Sequence, residues 1–227
     1  MNVRFGGMAG MAGMMAAALL AAPAACAQGA GQWAVKLGAT RITPQVDSGD
    51  VSAPALPGTR SDVGPDTQPT FAVSYSWTDN IVFELHLGLP FKHKIYGAGA
   101  VEGVGQLASV KVLPPTAFVQ YRFFDPGARL RPYVGLGATY AYFDDETGSG
   151  RLTAITNTGG PPTTFSIDHK LAAAAAIGLI YNINERWFAD VFVSKTWLKT
   201  DVAYSSGQAQ QITLNPQAVS VSVGYKF

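Results

Sequence analysis

Apolar and polar side chains alternate along most of this chain. In residues 81–89 the odd positions are Ile81, Phe83, Leu85, Leu87 and Leu89, while Val82, Glu84, His86 and Gly88 fill the even ones. Successive side chains of a strand point to opposite faces. One face is therefore continuous apolar surface, and the other carries a carboxylate and an imidazole. The same period recurs in TFAVSY (70–75), YVGLGATYAYF (133–143), ADVFV (189–193) and VSVSVGYKF (219–227). Eight strands are predicted, over about residues 33–43, 69–76, 80–90, 107–123, 132–143, 165–181, 186–198 and 216–227.

Most of these exceed the roughly five or six residues usual in soluble strands and reach the roughly nine a membrane strand needs. The connections alternate in length. Segments 44–68, 91–106, 144–164 and 199–215 are long and rich in Gly, Ser, Thr, Asp or Pro, whereas 77–80, 124–131 and 182–185 are short and turn-like. Short turns on one rim and long loops on the other is the layout of an outer-membrane barrel. Residue size points the same way. The polar face of each strand is mostly Ser, Thr, Ala and Gly, and the bulky groups lie opposite. An eight-stranded barrel has little interior room, so small residues fit inside and large ones face lipid. The predicted fold is an all-β, eight-stranded antiparallel transmembrane β-barrel. Aromatics from Trp33 to Phe227 cluster near the strand ends, as the two interfacial girdles of a membrane barrel require.

Composition narrows the choice further. Hydrophobic residues make up 48% of the 227 and charged residues only 14%, well below the quarter or so of a soluble domain. The net charge of +1 offers no electrostatic case for nucleic acid. Residues 1–27 are small and apolar and end in Ala25-Cys26-Ala27, the small–x–small form of an export site. Met1–Ala27 reads as a signal peptide and residues 28–227 as the barrel. The lone cysteine, Cys26, would leave with the peptide, which rules out a disulfide scaffold. No later segment approaches the roughly 18 consecutive apolar residues of a membrane helix.

One strand breaks the pattern. In LASVKVLPPTAFVQYRF (107–123) Val110 and Val112 are read as outward, then Ala117, Val119, Tyr121 and Phe123, so parity flips across Pro114-Pro115. Prolines remove ladder donors and belong at bulges or edges. The pair is either a register correction or a lateral opening from lumen to bilayer. The polar faces predict a lumen network of Glu84, His86, Lys111, Gln120, Arg122, Asp168, Lys170, Asp190 and Lys226. Mixed signs in a narrow lumen neutralise one another; a solute- or proton-handling role for His86 is the sharper alternative. His93 and His169 fall near loop bases. The three histidines lack metal-ligand spacing, and no hydrolase or phosphate-loop motif is present. Neither a catalytic site nor a cofactor is expected.

The segments WAVKLGATRITP (33–44), PTFAVSYSWTDNIVFELHLGLPFKHKI (69–95), LPPTAFVQYRF (113–123), RPYVGLGATYAYF (131–143) and NPQAVSVSVGYKF (215–227) resemble, in order, the OmpW family of small outer-membrane barrels, which includes alkane-import proteins. The resemblance implies a narrow apolar channel, blocked towards the periplasm, from which small hydrophobic molecules leave sideways through the wall at the LPPT stretch, Pro114 and Pro115 here. Tyr225 and Phe227 resemble the C-terminal signal read by the barrel-assembly machinery. The expected partners are outer-membrane lipid and lipopolysaccharide, that machinery and a small hydrophobic solute. A monomer is expected, with its long loops outward and its termini periplasmic. A non-transporting structural or receptor barrel with a plugged lumen, or a weak channel for small polar solutes, is the alternative.

Overall fold

The structure, a computed structural model, describes residues 29–227; the segment read as a signal peptide lies outside them. From the N-terminal end, β1 (Trp33–Thr43) leads past Pro44 into the two-residue β2 (Asp47–Ser48). Strand β3 (Thr59–Val63) is followed, after Gly64-Pro65, by β4 (Asp66–Ser76). Strands β5 (Ile81–Gly88) and β6 (Phe91–Gly99) flank Leu89-Pro90, and β7 (Gln106–Leu113) and β8 (Thr116–Arg122) flank Pro114-Pro115. The long β9 (Leu130–Gly148) runs unbroken and leads to the short helix α1 (Gly150–Thr156). The chain then forms β10 (Phe165–Ile167), β11 (Lys170–Asn182), β12 (Trp187–Thr196), β13 (Lys199–Tyr204), β14 (Ala209–Thr213) and β15 (Gln217–Lys226).

Eight of these strands close a ring of antiparallel pairs, in the order β1-β4-β5-β8-β9-β11-β12-β15 and back to β1. The remaining strands continue the same wall beyond the ring. Strands β7, β6 and β3 extend from the far half of β9, and β10, β13, β14 and β2 form a second, four-stranded sheet. The segments expected to be long loops are thus partly ordered strand, and they build an upper storey on the barrel. The cause is local. In FKHKIYGAG (91–99) Phe91 and His93 turn inward and Lys92 and Lys94 outward, and in KTDVAY (199–204) Thr200 and Val202 turn inward. Both segments keep strand period.

A waist separates the storeys. Five of the interruptions between lower and upper strands contain proline: Pro44, Pro65, Pro90, Pro114-Pro115 and Pro216. Proline cannot donate to a ladder, so each junction bends or interrupts the sheet. The outward face changes character there. Below the waist it is apolar, with Leu37, Leu136 and Leu171 each at least 70% exposed, as lipid-facing positions must be. Aromatic pairs ring the short-turn end, Trp33 with Tyr75 and Trp187 with Tyr225, each 5.0 Å apart. Phe91, Tyr133 and Phe143, placed with the girdles on sequence, are instead buried inside. Above the waist the outward face turns polar, and the inward face holds the larger apolar core, including Leu107, Val110, Phe143, Ile167 and Val202.

That inversion explains the apparent parity flip, which the structure does not contain. Even-numbered residues face inward on both sides of the prolines: Val110 is buried, and so are Phe118, Gln120 and Arg122. The register against β9 is also continuous, from Leu113↔Tyr142 to Thr116↔Thr139, and the Tyr140 N–H still donates to the Pro115 carbonyl at 3.0 Å. What changes at the prolines is the interior, polar below and apolar above. The lapse in pairing lies on the other side. Strand β5 pairs with β8 as far as His86↔Thr116, β6 and β7 resume at Phe91↔Val112, and no ladder pair joins residues 87–90 to 113–115. The Pro114 carbonyl accepts from the Thr116 hydroxyl at 3.0 Å instead. A second lapse separates residues 43–46 from 62–65, beyond the last pair Ile42↔Asp66.

Two large rings of the lower lumen take the space left by glycines on the neighbouring strands. Tyr133 pairs with Gly178 and Phe188 with Gly224 across neighbouring strands. A Cβ at Gly178 would run into the Tyr133 ring, and one at Gly224 into the Phe188 ring. Gly178→Leu or Gly224→Leu is therefore expected to abolish the compact band seen in unheated detergent gels, whereas Leu136→Ala on the lipid face keeps it.

Candidate functional site

The lower lumen is filled by an ion cluster centred on Glu84. Its Oε1 accepts from Lys36 Nζ at 2.8 Å, Gln120 Nε2 at 2.7 Å and His86 Nε2 at 2.6 Å; its Oε2 faces Arg122 Nη2 at 3.4 Å. Lys36 also bridges to Asp190 at 2.6 Å, and the Tyr133 hydroxyl donates to the second Asp190 oxygen at 3.0 Å. Arg122 donates through Nε and Nη2 to Gln120 Oε1. Two carboxylates face two cations, and every partner except the partly exposed His86 is within 5% of full burial. Towards the short turns, Lys226 donates to Asn182 Oδ1 and Arg131 to the carbonyls of Asp79 and Phe124. Lys36, Glu84, Gln120, Arg122, Tyr133 and Asp190 take no part in lining the chamber above them.

Alternation on five strands brings this cluster together. Of the residues assigned to it on sequence, Glu84, Gln120, Arg122, Asp190 and Lys226 are buried in the lumen, and His86 sits at its upper edge. Three others do not belong. Lys111 points out of the upper storey and pairs with Asp145 at 2.8 Å, both half-exposed. Lys170 and Asp168 pair on the outer surface, with Asp201 beside them. Each lies above the waist, where the faces exchange character, so polar means outward there. That bridge holds the Lys111 ammonium above its ordinary pKa and the Asp145 carboxyl below its own. Lys36, Arg131 and Tyr133 were not assigned. Lys36 was within reach, because Ala34, Lys36, Gly38 and Thr40 form the small or polar face of β1.

Above the cluster lies an apolar chamber of about 140 Å³. His86 stacks on Phe192 with ring centroids 4.8 Å apart and meets Phe118 edge-on at 5.6 Å, so three rings form the floor. Around them runs a girdle of hydroxyls that satisfy one another: Thr70–Thr40–Ser220 on one side, Thr116–Thr139–Thr196 on the other. Val110, Phe143, Ile167, Leu198, Val202 and Ile212 supply the walls. His93, also in the wall, hydrogen-bonds through Nδ1 to the Gly64 carbonyl at 2.8 Å, and burial pushes its pKa below the usual histidine value. It thus adds no charge at neutral pH. Towards the roof, Ser61 and Tyr204 both donate to Gln210 Oε1. The lining includes Leu87, Gly88, Pro114 and Thr116, the rim of the gap between β5–β6 and β7–β8, and Ile42, Pro44 and Val63, the rim of the second.

A closed eight-stranded antiparallel wall, apolar outside and plugged by paired charges inside, defines a small membrane β-barrel. The sequence model of the OmpW family matches residues 29–227, and the chain belongs to that family. It is 34% identical to Outer membrane protein W of Vibrio cholerae over 217 residues, 93% of this chain and 95% of that protein. The crystal structure of the outer membrane protein OprG from Pseudomonas aeruginosa superposes with a TM-score of 0.79 at 26% identity, covering 88% of this chain and 99% of that one. The solid-state NMR structure of outer membrane protein AlkL in lipid bilayers gives 0.68 at 26% identity, covering 91% and 94%. The protein's place is the outer membrane of a Gram-negative bacterium.

Removing one partner of a buried ion cluster strands the others without counter-charge, at a cost of about 3–5 kcal/mol. Glu84→Ala is expected to lower the unfolding free energy of the barrel in lipid vesicles by that amount, seen as a fall in its urea midpoint. Lys111→Ala, which opens a solvated pair, is expected to leave the midpoint unchanged.

Proposed function

We propose that the protein is a passive channel for small hydrophobic molecules, which collect in the apolar chamber and leave sideways into the bilayer. The observation that carries this reading is the position of the chamber. It sits directly on a plug of paired charges, and its wall lacks ladder pairing beside Pro114-Pro115. An apolar solute gains about 0.8 kcal/mol per buried CH₂ on leaving water, which favours the chamber. Entering the lower lumen would instead break ion pairs that are out of water. The route of least cost is through the wall, between residues 87–90 and 113–115.

In this reading the upper storey faces outward through the lipopolysaccharide layer, and the short turns and both chain ends of the barrel face the periplasm. The family resemblance to alkane-import proteins supports the solute class, and the waist prolines support the exit. Tyr225 and Phe227 at the chain end would serve recognition by the assembly machinery. No step needs a cofactor or a reacting group, so the protein acts as a conduit and not as an enzyme, and one copy of the chain suffices. A plug this fully paired also suits a structural barrel that passes nothing, and a channel for small polar solutes is the remaining reading.

Uptake of a labelled medium-chain alkane into lipid vesicles separates these readings. The protein is expected to accelerate uptake several-fold over empty vesicles. Pro114→Val/Pro115→Val, which restores two ladder donors, is expected to return uptake to the empty-vesicle rate while the barrel stays compact on an unheated gel. Unchanged uptake in that variant would move the exit to the other gap, beside Pro44 and Pro65. No acceleration by the unmodified protein would favour the non-transporting barrel, or the polar channel if a small amino acid enters instead.

A further inference from the structure

His86 is the one ionisable group at the chamber floor, and its tautomer is set by its neighbours. Glu84 Oε1 already accepts from the Lys36 ammonium and the Gln120 amide, and Oε2 faces the Arg122 guanidinium. A carboxylate held this way is ionised and can only accept. His86 therefore donates through Nε2, 2.6 Å from Oε1. In the neutral ring the second nitrogen, Nδ1, is then a lone-pair acceptor. Nδ1 has no hydrogen-bond partner among the described residues, and the residue lines the chamber. None of the girdle hydroxyls bonds it: Thr40, Thr70 and Ser220 bond one another, as do Thr116, Thr139 and Thr196.

From this geometry we infer that the chamber selects small amphiphiles with one hydrogen-bond donor, such as a phenol or a short alcohol, over pure hydrocarbons. The hydroxyl sits on His86 and the apolar body lies among Val110, Phe143 and Ile212. This deepens the reading of the chamber as a solute site and rests on it. Size fits: a cavity of comparable volume, about 150 Å³, accommodates benzene, and the chamber measures about 140 Å³. Polarity fits as well. A donor-bearing head satisfies an acceptor that a hydrocarbon would leave buried and unpaired, and a head that can only accept gains nothing.

The test uses three probes of near-equal shape: p-cresol, which donates; 4-methylanisole, which only accepts; and p-xylene, which does neither. Binding to the full barrel in lipid nanodiscs is measured by equilibrium dialysis against empty nanodiscs. The expected result is p-cresol tighter than the other two by about three- to tenfold beyond its partition into empty discs, the worth of one net hydrogen bond. His86→Phe keeps a ring between Phe118 and Phe192 but removes the acceptor, and is expected to erase the preference while retaining p-xylene. Equal affinity for all three probes, or a preference that survives His86→Phe, overturns the inference and leaves the chamber as an unselective site. Binding of none of them overturns the chamber reading itself. Should His86→Phe fail to fold, the ¹⁵N resonance of His86 Nδ1 in the unmodified protein decides. It should shift with p-cresol and not with p-xylene, and equal response to both is the contrary result.

Discussion

The Glu84 carboxylate is the fixed point of this molecule. Four donors from three strands, on Lys36, His86, Gln120 and Arg122, converge on it inside the lower lumen. Lys36 passes the linkage on to Asp190 and through it to Tyr133, so β1, β5, β8, β9 and β12 are tied across the barrel axis as well as around it. Burying charge is favourable only when it is paired and fully hydrogen-bonded. The cluster meets that condition, and so it closes the lower barrel to anything that cannot replace those bonds.

The rest follows from that closure. Small residues, chiefly Gly, Ala and Ser, complete the lower interior, and Gly178 and Gly224 make space for Tyr133 and Phe188. The wall's large aliphatics have only lipid to face. Above the waist the faces reverse, and Lys92, Lys94, Lys199 and Asp201 point outward. Apolar side chains turn in and leave a chamber. The prolines stand where the two regimes meet. Beside Pro114-Pro115 the wall lacks ladder pairs, which is where the proposed reading puts the exit.

The lower storey was legible because its strands obey a single rule, period two with lipid outside. The eight wall strands, their order and the inward Glu84, Gln120, Arg122 and Asp190 all come from that rule. The same rule misassigned Lys111, Asp168 and Lys170, and turned Val110 and Val112 outward, because it assumed that polar means inward at every height. Period alone cannot show where the bilayer ends. It also passed over the strands of the upper storey: loops rich in Gly, Ser and Pro mask the short alternations of 91–99 and 199–204. The chamber was the least legible part. Its lining comes from a dozen segments far apart in sequence, and its floor histidine was visible only as one polar residue among five apolar ones.

The most direct test of the account is to locate a bound hydrocarbon by NMR, with the protein in deuterated lipid bilayers and a protonated short alkane as the probe. Contacts from the alkane to the Val110, Leu198 and Ile212 methyls, and to Leu89 or Pro114 at the gap, are the predicted result. No contact should reach Lys36, Tyr133 or Phe188 in the lower lumen. Contacts with those lower residues, or with the lipid-facing belt alone, would contradict a chamber that is sealed below and open to the side.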